Sequence, residues 1–270
     1  MYHLIIILLL IVFLFLYLNA TSRRKIDFSS FEKKDIAHRG LYDNNSLAPE
    51  NSMYAFNKAI EASYGIEMDI RLTKDKQVVI FHDDNMLRMT GKDINVNEAD
   101  YCQIKDIKLL QSNETIPLFA DFLALVNGKV PLIIELKCSV EDYNELCSLS
   151  HEILKDYQGI YCLESFNPYA MAWYKRNDSK QIRGQLSSGH FNNIKNPIVN
   201  FMMRNLLFNN LSRPDFIAYD HNYKNKLTFR LTRSIWKVKT VAYTVKDQDS
   251  YNDNKEVFDG IIFDSFIPKA

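Results

Sequence analysis

The chain has 270 residues, 47% of them hydrophobic, and its 33 basic side chains balance 33 acidic ones. Balanced charge without a clustered basic excess excludes a nucleic-acid footprint, and this apolar content excludes a disordered chain. Beyond the first stretch of about 25 residues, the remaining length suits one domain of α/β-barrel size, roughly 250 residues. Four cysteines, at 102, 138, 147 and 162, form no Cys-x-x-Cys pair and read as scattered structural thiols.

Residues 4–18, LIIILLLIVFLFLYL, are unbroken apolar or aromatic. With their flanks they give a run over 2–20, the length of about 20 residues that a bilayer requires, and predict a transmembrane anchor. Leu18-Asn19-Ala20 is a poor cleavage site for a signal peptide. Arg23, Arg24 and Lys25 follow; positive residues stay cytoplasmic, which predicts a single-pass membrane protein with its domain in the cytoplasm. Residues 21–34 read as a charged linker, and the domain runs over 35–268.

Apolar runs at 35–38, 65–71, 131–137, 160–165, 181–186, 216–220, 240–245 and 260–264 predict eight strands. Near-continuous apolar character suits parallel strands covered on both faces. Helical patterns at 52–63, 117–127, 141–156, 168–176, 194–210, 226–236 and 247–257 lie between them. This alternation predicts a parallel sheet, and eight units predict closure into a (β/α)8 TIM barrel. Residues 78–81 read as an extra short strand, and 83–116 as a small polar insertion after strand 2.

Active sites of such barrels lie at the C-terminal strand ends. His38, Asp69, Glu135, Lys137, Ser165, Asp220, Tyr243 and Asp264 fall there. Glu67 and Asp69 stand at i and i+2 of one strand, so both point to one face. Two such carboxylates repel unless a cation or proton lies between them, and hard oxygen ligands suit calcium or magnesium. Glu135 joins them as a third metal ligand; an ion pair between Glu135 and Lys137, with the other two acids solvated, is the competing reading. His38 and His82, flanking the acidic pair, are acid–base candidates because imidazole titrates near neutral pH. Lys137 offers a point charge to a phosphoryl oxygen and Arg39 a bidentate fork. Arg39 reaches the site only if its strand has ended at His38.

The ordered series His38-Arg39-Gly40, Pro49-Glu50-Asn51-Ser52, Ala55-Phe56 with Ala59, Gly65 with Glu67 and Asp69, Thr73 and Asp75, Val79 with His82-Asp83, and Arg88 with Thr90-Gly91 resembles the signature of the glycerophosphodiester phosphodiesterase family. Glu135-Leu136-Lys137 matches a further motif of that family. The resemblance covers about residues 35–268 and implies a metal-dependent phosphodiesterase that releases sn-glycerol 3-phosphate and an alcohol, in phospholipid and glycerol metabolism. It implies catalytic histidines at His38 and His82 and one divalent cation, Ca2+ or Mg2+, on Glu67, Asp69 and Glu135. Arg39, Lys137, Phe166 and Tyr243 are the implied substrate-binding residues; Phe166 lies in a family motif that also reads as a helix-start turn, and Tyr243 stands where the family commonly has tryptophan. The implied partners are a small or lipid-derived phosphodiester and, through the anchor, a membrane. Two rivals follow: a lysophospholipase D or sphingomyelinase D-like activity, and a non-catalytic membrane scaffold that keeps the barrel.

Overall fold

The computed structural model describes residues 2–32, 34–192 and 194–269. The apolar runs become β1 (Asp35–His38), β2 (Gly65–Leu72), β3 (Val78–Ile80), β4 (Leu132–Leu136), β5 (Tyr161–Ser165), β6 (Arg183–Ser187), β7 (Phe216–Asp220), β8 (Lys239–Val245) and β9 (Gly260–Phe263). All but β3 run parallel, each beside the next, and β1 pairs with both β9 and β2, closing the barrel. β3 pairs antiparallel with the end of β2. The predicted (β/α)8 barrel is therefore present.

Strand parity sorts the side chains. Ile66, Met68, Ile70, Leu132, Ile134 and Leu136 pack outward, under the helices. Ile36, Ile133, Phe216, Val241 and Ile262 fill the interior. Glu135 lies two residues beyond Ile133, so it points into the barrel one layer higher. Glu67 and Asp69 alternate with the outward Ile66, Met68 and Ile70, which sends both carboxylates inward. Segment 21–34 contributes to this interior: Phe28 and Phe31 are buried with centroids 5.1 Å apart, and Phe28 packs 5.2 Å from Phe216.

The predicted helix over 194–210 is two helices, Pro197–Arg204 and Asn209–Ser212. Asn196 caps the first, with Pro197 as its first residue; Leu206 takes a left-handed φ of 59°, which no helix continues through. The insertion holds three short helical turns, Leu87–Thr90, Val96–Glu98 and Tyr101–Ile104, around a small core that includes Val79, Met86, Met89 and Ile116.

The amino terminus corrects the anchor prediction. Its helix is Tyr2–Leu18, 17 residues, about 25 Å long against a hydrocarbon core of about 30 Å. Among the described residues no helix is long and apolar enough to cross a membrane. Asn19, counted within the span, is buried against the barrel: its amide donates to Leu206 O at 3.4 Å and its Oδ1 accepts from Trp236 Nε1 at 3.1 Å. The basic residues that suggested an orientation are also engaged. Arg24 pairs with buried Asp215 and donates to the carbonyls of Ser179, Lys180 and Gln181, while Arg23 lies 4.7 Å over the Trp236 ring. The transmembrane anchor over 2–20, the single-pass placement, the cytoplasmic orientation and the membrane contact through that helix are withdrawn.

Candidate active site

The site grows from the end of β1. The strand stops at His38, as the placement of Arg39 requires, and Arg39 turns into a left-handed φ of 55°. Its backbone N–H donates to Glu67 Oε2 at 3.1 Å, and its guanidinium pairs with Glu50 and lies 3.3 Å from Asp69 Oδ2. Gly40 follows at φ 83°; a Cβ there would sit 2.9 Å from the Ala55 carbonyl carbon, so the turn demands glycine.

Carboxylate oxygens of Glu67, Asp69 and Glu135 all lie within 4.8 Å of one another, and all three residues are buried. Lys137 Nζ sits 2.8 Å from Glu135 Oε2 and 3.3 Å from Asp69 Oδ1. The lysine pairing and the triad thus coexist. Burial and the charges of Asp69 and Glu135 push the Glu67 carboxyl well up. Burial would raise Asp69 too, but Lys137 and Arg39 outweigh it and hold that carboxyl well down. Burial also raises Glu135, partly countered by Lys137.

Glu164, which the sequence reading passed over, is a fourth acid here. The β4–β5 register sets it directly beside Glu135; it is 1% exposed, its Oε2 has no hydrogen-bond partner, and burial pushes its carboxyl well up. An acid inside an apolar strand, at the same strand-end position as Glu135, was the available signal. Asn51, at φ 57°, donates its amide to Asp69 Oδ2 at 2.8 Å, while its buried Oδ1 is unpartnered. Four buried acids face the two cations Lys137 and Arg39. Clustered hard oxygen donors fit a divalent cation.

Each histidine has a carboxylate at its Nδ1. His38 lies 3.4 Å from Asp264 Oδ2 through Nδ1 and 3.9 Å from Glu67 through Nε2. Burial lowers its pKa, against the opposing pull of Asp264. His82 Nδ1 is 2.6 Å from Asp83 Oδ1. Although burial acts to raise the Asp83 carboxyl, bonds from His82 and Arg88 hold it well below the usual range, so Nδ1–H donates to an ionised oxygen. Arg88 spans the site: it donates 2.7 Å to Asp83 Oδ2, and 2.9 and 2.7 Å to the two oxygens of Glu50.

A cavity of about 950 Å³ opens beside these groups, lined by His82, Glu135, Lys137 and Phe166 and by the connection between β6 and β7. The Phe166 ring stands 5.9 Å from Lys137 Nζ. Tyr243 packs edge-on to Phe166 at 6.1 Å, with its hydroxyl donating to Ser187 O at 2.9 Å. His221 bonds with Thr244 O and the Asn254 amide.

A glycerophosphodiester phosphodiesterase of Caldanaerobacter subterraneus is 32% identical over 151 residues, 52% of this chain and 61% of that protein. An uncharacterized protein of Bacillus subtilis is 38% identical over 118 residues, 41% of this chain and 47% of the relative. A human lysophospholipase D is 40% identical over 75 residues, 27% of this chain and 23% of its own length. The chain thus spans less than two thirds of the length of each of these relatives. Two solved structures share the fold: an Oleispira antarctica phosphodiesterase in complex with the product sn-glycerol-3-phosphate (TM-score 0.71, 22% identity, covering 87% of this chain and 94% of that one) and a Thermotoga maritima glycerophosphodiester phosphodiesterase (TM-score 0.66, 24% identity, covering 85% and 93%). The model of the glycerophosphoryl diester phosphodiesterase family matches residues 38–267, so with the barrel and the site residues in place this chain belongs to that family.

Proposed function

We propose that this chain hydrolyses glycerophosphodiesters to sn-glycerol 3-phosphate and an alcohol. The observation that carries the reading is the pair of carboxylate-backed histidines on either side of the buried acid triad and Lys137. A non-catalytic scaffold needs none of these groups. The Oleispira antarctica neighbour, with its bound sn-glycerol-3-phosphate, supports the same product.

Glu67, Asp69 and Glu135 would hold one divalent cation, Ca2+ or Mg2+, which when bound polarises the phosphate and offsets charge developing on its oxygens. Lys137, kept charged by Glu135 and Asp69 although burial opposes it, faces a phosphoryl oxygen. Arg39, engaged with Glu50 and Asp69, holds the first histidine loop in place and adds positive charge. His38 is neutral at neutral pH because burial lowers its pKa, and it accepts the proton of the attacking water. His82, with Nδ1 committed to Asp83, returns a proton to the departing alcohol oxygen. One P–O bond forms from water and the P–O bond to the alcohol breaks.

The test is turnover of a panel of glycerophosphodiesters by purified protein, with and without a chelator, identifying both products. We expect sn-glycerol 3-phosphate and free alcohol, with activity lost to chelator and restored by Ca2+ or Mg2+. A cyclic phosphate as the final product would replace hydrolysis with a lyase reaction, and turnover untouched by chelator would remove the cation.

A further inference from the structure

We infer that Glu164 is a fourth carboxylate of the cation site, placed outside the triad of Glu67, Asp69 and Glu135 to accept hydrogen bonds from the water that the ion retains. The inference rests on the metal-dependent phosphodiesterase reading and adds a residue to the same site.

Strand geometry aims the side chain there. Ile133 and Cys162 both lie in the interior core. Glu135 stands two residues beyond Ile133 on β4, and Glu164 two beyond Cys162 on β5. Both carboxylates therefore point into the barrel, one layer above that core. The register sets Glu164 directly against Glu135. On its other flank it meets Gly184 of β6, which offers no side chain; the Phe216 ring occupies the space that a Cβ on Gly184 would need. A counterpart for Glu164 has to come from the side of the triad.

The neighbouring side chains do not supply one. Glu164 is 1% exposed, and none of the described residues hydrogen-bonds its Oε2. The cations of the site are engaged with other acids: Lys137 Nζ lies 2.8 Å from Glu135 and 3.3 Å from Asp69, and Arg39 pairs with Glu50 and Asp69. Burying an acid without a partner is costly, whereas a divalent charge beside it offsets that cost. Substrate contact does not account for the residue either. The cavity is lined by Glu135, Lys137, Ser165 and Phe166 but not by Glu164.

Position decides how Glu164 acts on the ion. Oxygens of Glu67, Asp69 and Glu135 lie within 4.8 Å of one another, a set that Glu164 does not join. It therefore works from behind the ligands. Calcium takes roughly six to eight oxygens, and magnesium keeps several of its waters. Three carboxylates leave room for such water, whose hydrogens need acceptors, and an ionised carboxylate is acceptor-only. Partners of this outer kind hold a metal site in shape.

Calorimetric titration of the full chain with Ca2+ and with Mg2+, beside thermal midpoints in chelator and in saturating ion, tests the assignment. Glu164→Gln keeps the shape and removes the charge. Its dissociation constant should rise about 10–100-fold, the range for losing an outer-shell partner. Its midpoint in chelator should equal or exceed that of the unmodified chain, while the gain on adding ion shrinks. A merely structural Glu164 gives the opposite pattern, a lower midpoint in chelator with unchanged ion affinity. That pattern, or unchanged affinity for both ions in folded Glu164→Gln, overturns the proposal and leaves the triad standing. If Glu164→Gln does not fold, Glu164→Leu is titrated in the same way; failure of both to fold in chelator assigns Glu164 to the fold and overturns the proposal as well. An unmodified chain that binds neither ion overturns the metal-dependent reading itself, and the role of Glu164 with it.

Discussion

Glu67, Asp69 and Glu135 differ in ionisation because their neighbours differ: Asp69 has both Lys137 and Arg39 against it, whereas buried Glu67 faces Asp69, Glu135 and Glu164 with Arg39 opposing them. Removing one ligand charge, as in Glu67→Gln, Asp69→Asn or Glu135→Gln, should raise the divalent ion concentration needed for activity. His38→Ala and His82→Ala should leave ion affinity nearly intact while costing ~10²–10⁴-fold in rate, the usual loss of acid–base catalysis. Ion titration by calorimetry beside single-turnover rates checks all five; loss of ion binding in His82→Ala would reverse the assignment. Glu50 carries a pH signature of its own. Burial acts to raise its carboxyl, but the Arg88 hydrogen bonds and the Arg39 charge win and hold it at about 2. A depressed folded-state pKa gives stability that is present above the ordinary carboxyl value and lost as pH falls through the folded one. Glu50 therefore stabilises the fold above about pH 4.5, and urea midpoints should show that contribution fading between there and about pH 2. In Glu50→Gln this part of the pH dependence should vanish.

The short helix Leu87–Thr90 is the element that ties the site together. Its Arg88 grips Glu50, next to Arg39 of the first histidine loop, and Asp83, the partner of His82. One guanidinium thus links the two strand-end loops. Arg88→Ala should lower kcat/KM by about 10–100-fold, the range for losing an outer-shell partner. Arg88→Lys should rescue little, because an ammonium lacks the planar fork that meets two carboxylates at once. A pH–rate profile beside thermal midpoints separates this from simple destabilisation: with Asp83 freed from Arg88, the profile should move at an unchanged midpoint. An unmoved profile with a wild-type rate would reduce Arg88 to a surface ion pair.

At the scale of the whole molecule, the barrel depends on a segment that looks dispensable. Phe28 and Phe31 fill its interior from residues 21–34, whereas the helix Tyr2–Leu18 buries none of its side chains. Deleting residues 2–18 should therefore leave the urea midpoint of the barrel nearly unchanged. Phe31→Ala should destabilise it by about 3–5 kcal/mol, the cost of emptying a buried aromatic site. Denaturation of the two variants side by side checks the contrast, and equal losses would contradict it.

Local pattern carried much of this architecture. Apolar runs of strand length placed the barrel strands, and the period of two placed Glu67 with Asp69 and Glu135 with Lys137 on the inward face, because both properties are written within a few residues of chain. The end of β1 at His38, which Arg39 needs in order to turn inward, was left as a condition by the sequence and decided by the structure. Residues 2–20 misled because hydrophobicity is local, whereas the end of that helix is decided by Asn19 meeting Leu206 and Trp236, nearly 200 positions or more away. Glu164 became part of the site only through the β4–β5 register, and Arg88 only because folding brings Glu50 and Asp83 to one guanidinium. The apolar wall of the cavity likewise waited on the helix Pro197–Arg204 folding back onto residues 189–194. Sequence by itself determined the strand order and the chemistry at the strand ends; tertiary structure alone decided which distant charges and apolar groups meet, since such contacts depend on register and loop closure that no local pattern encodes.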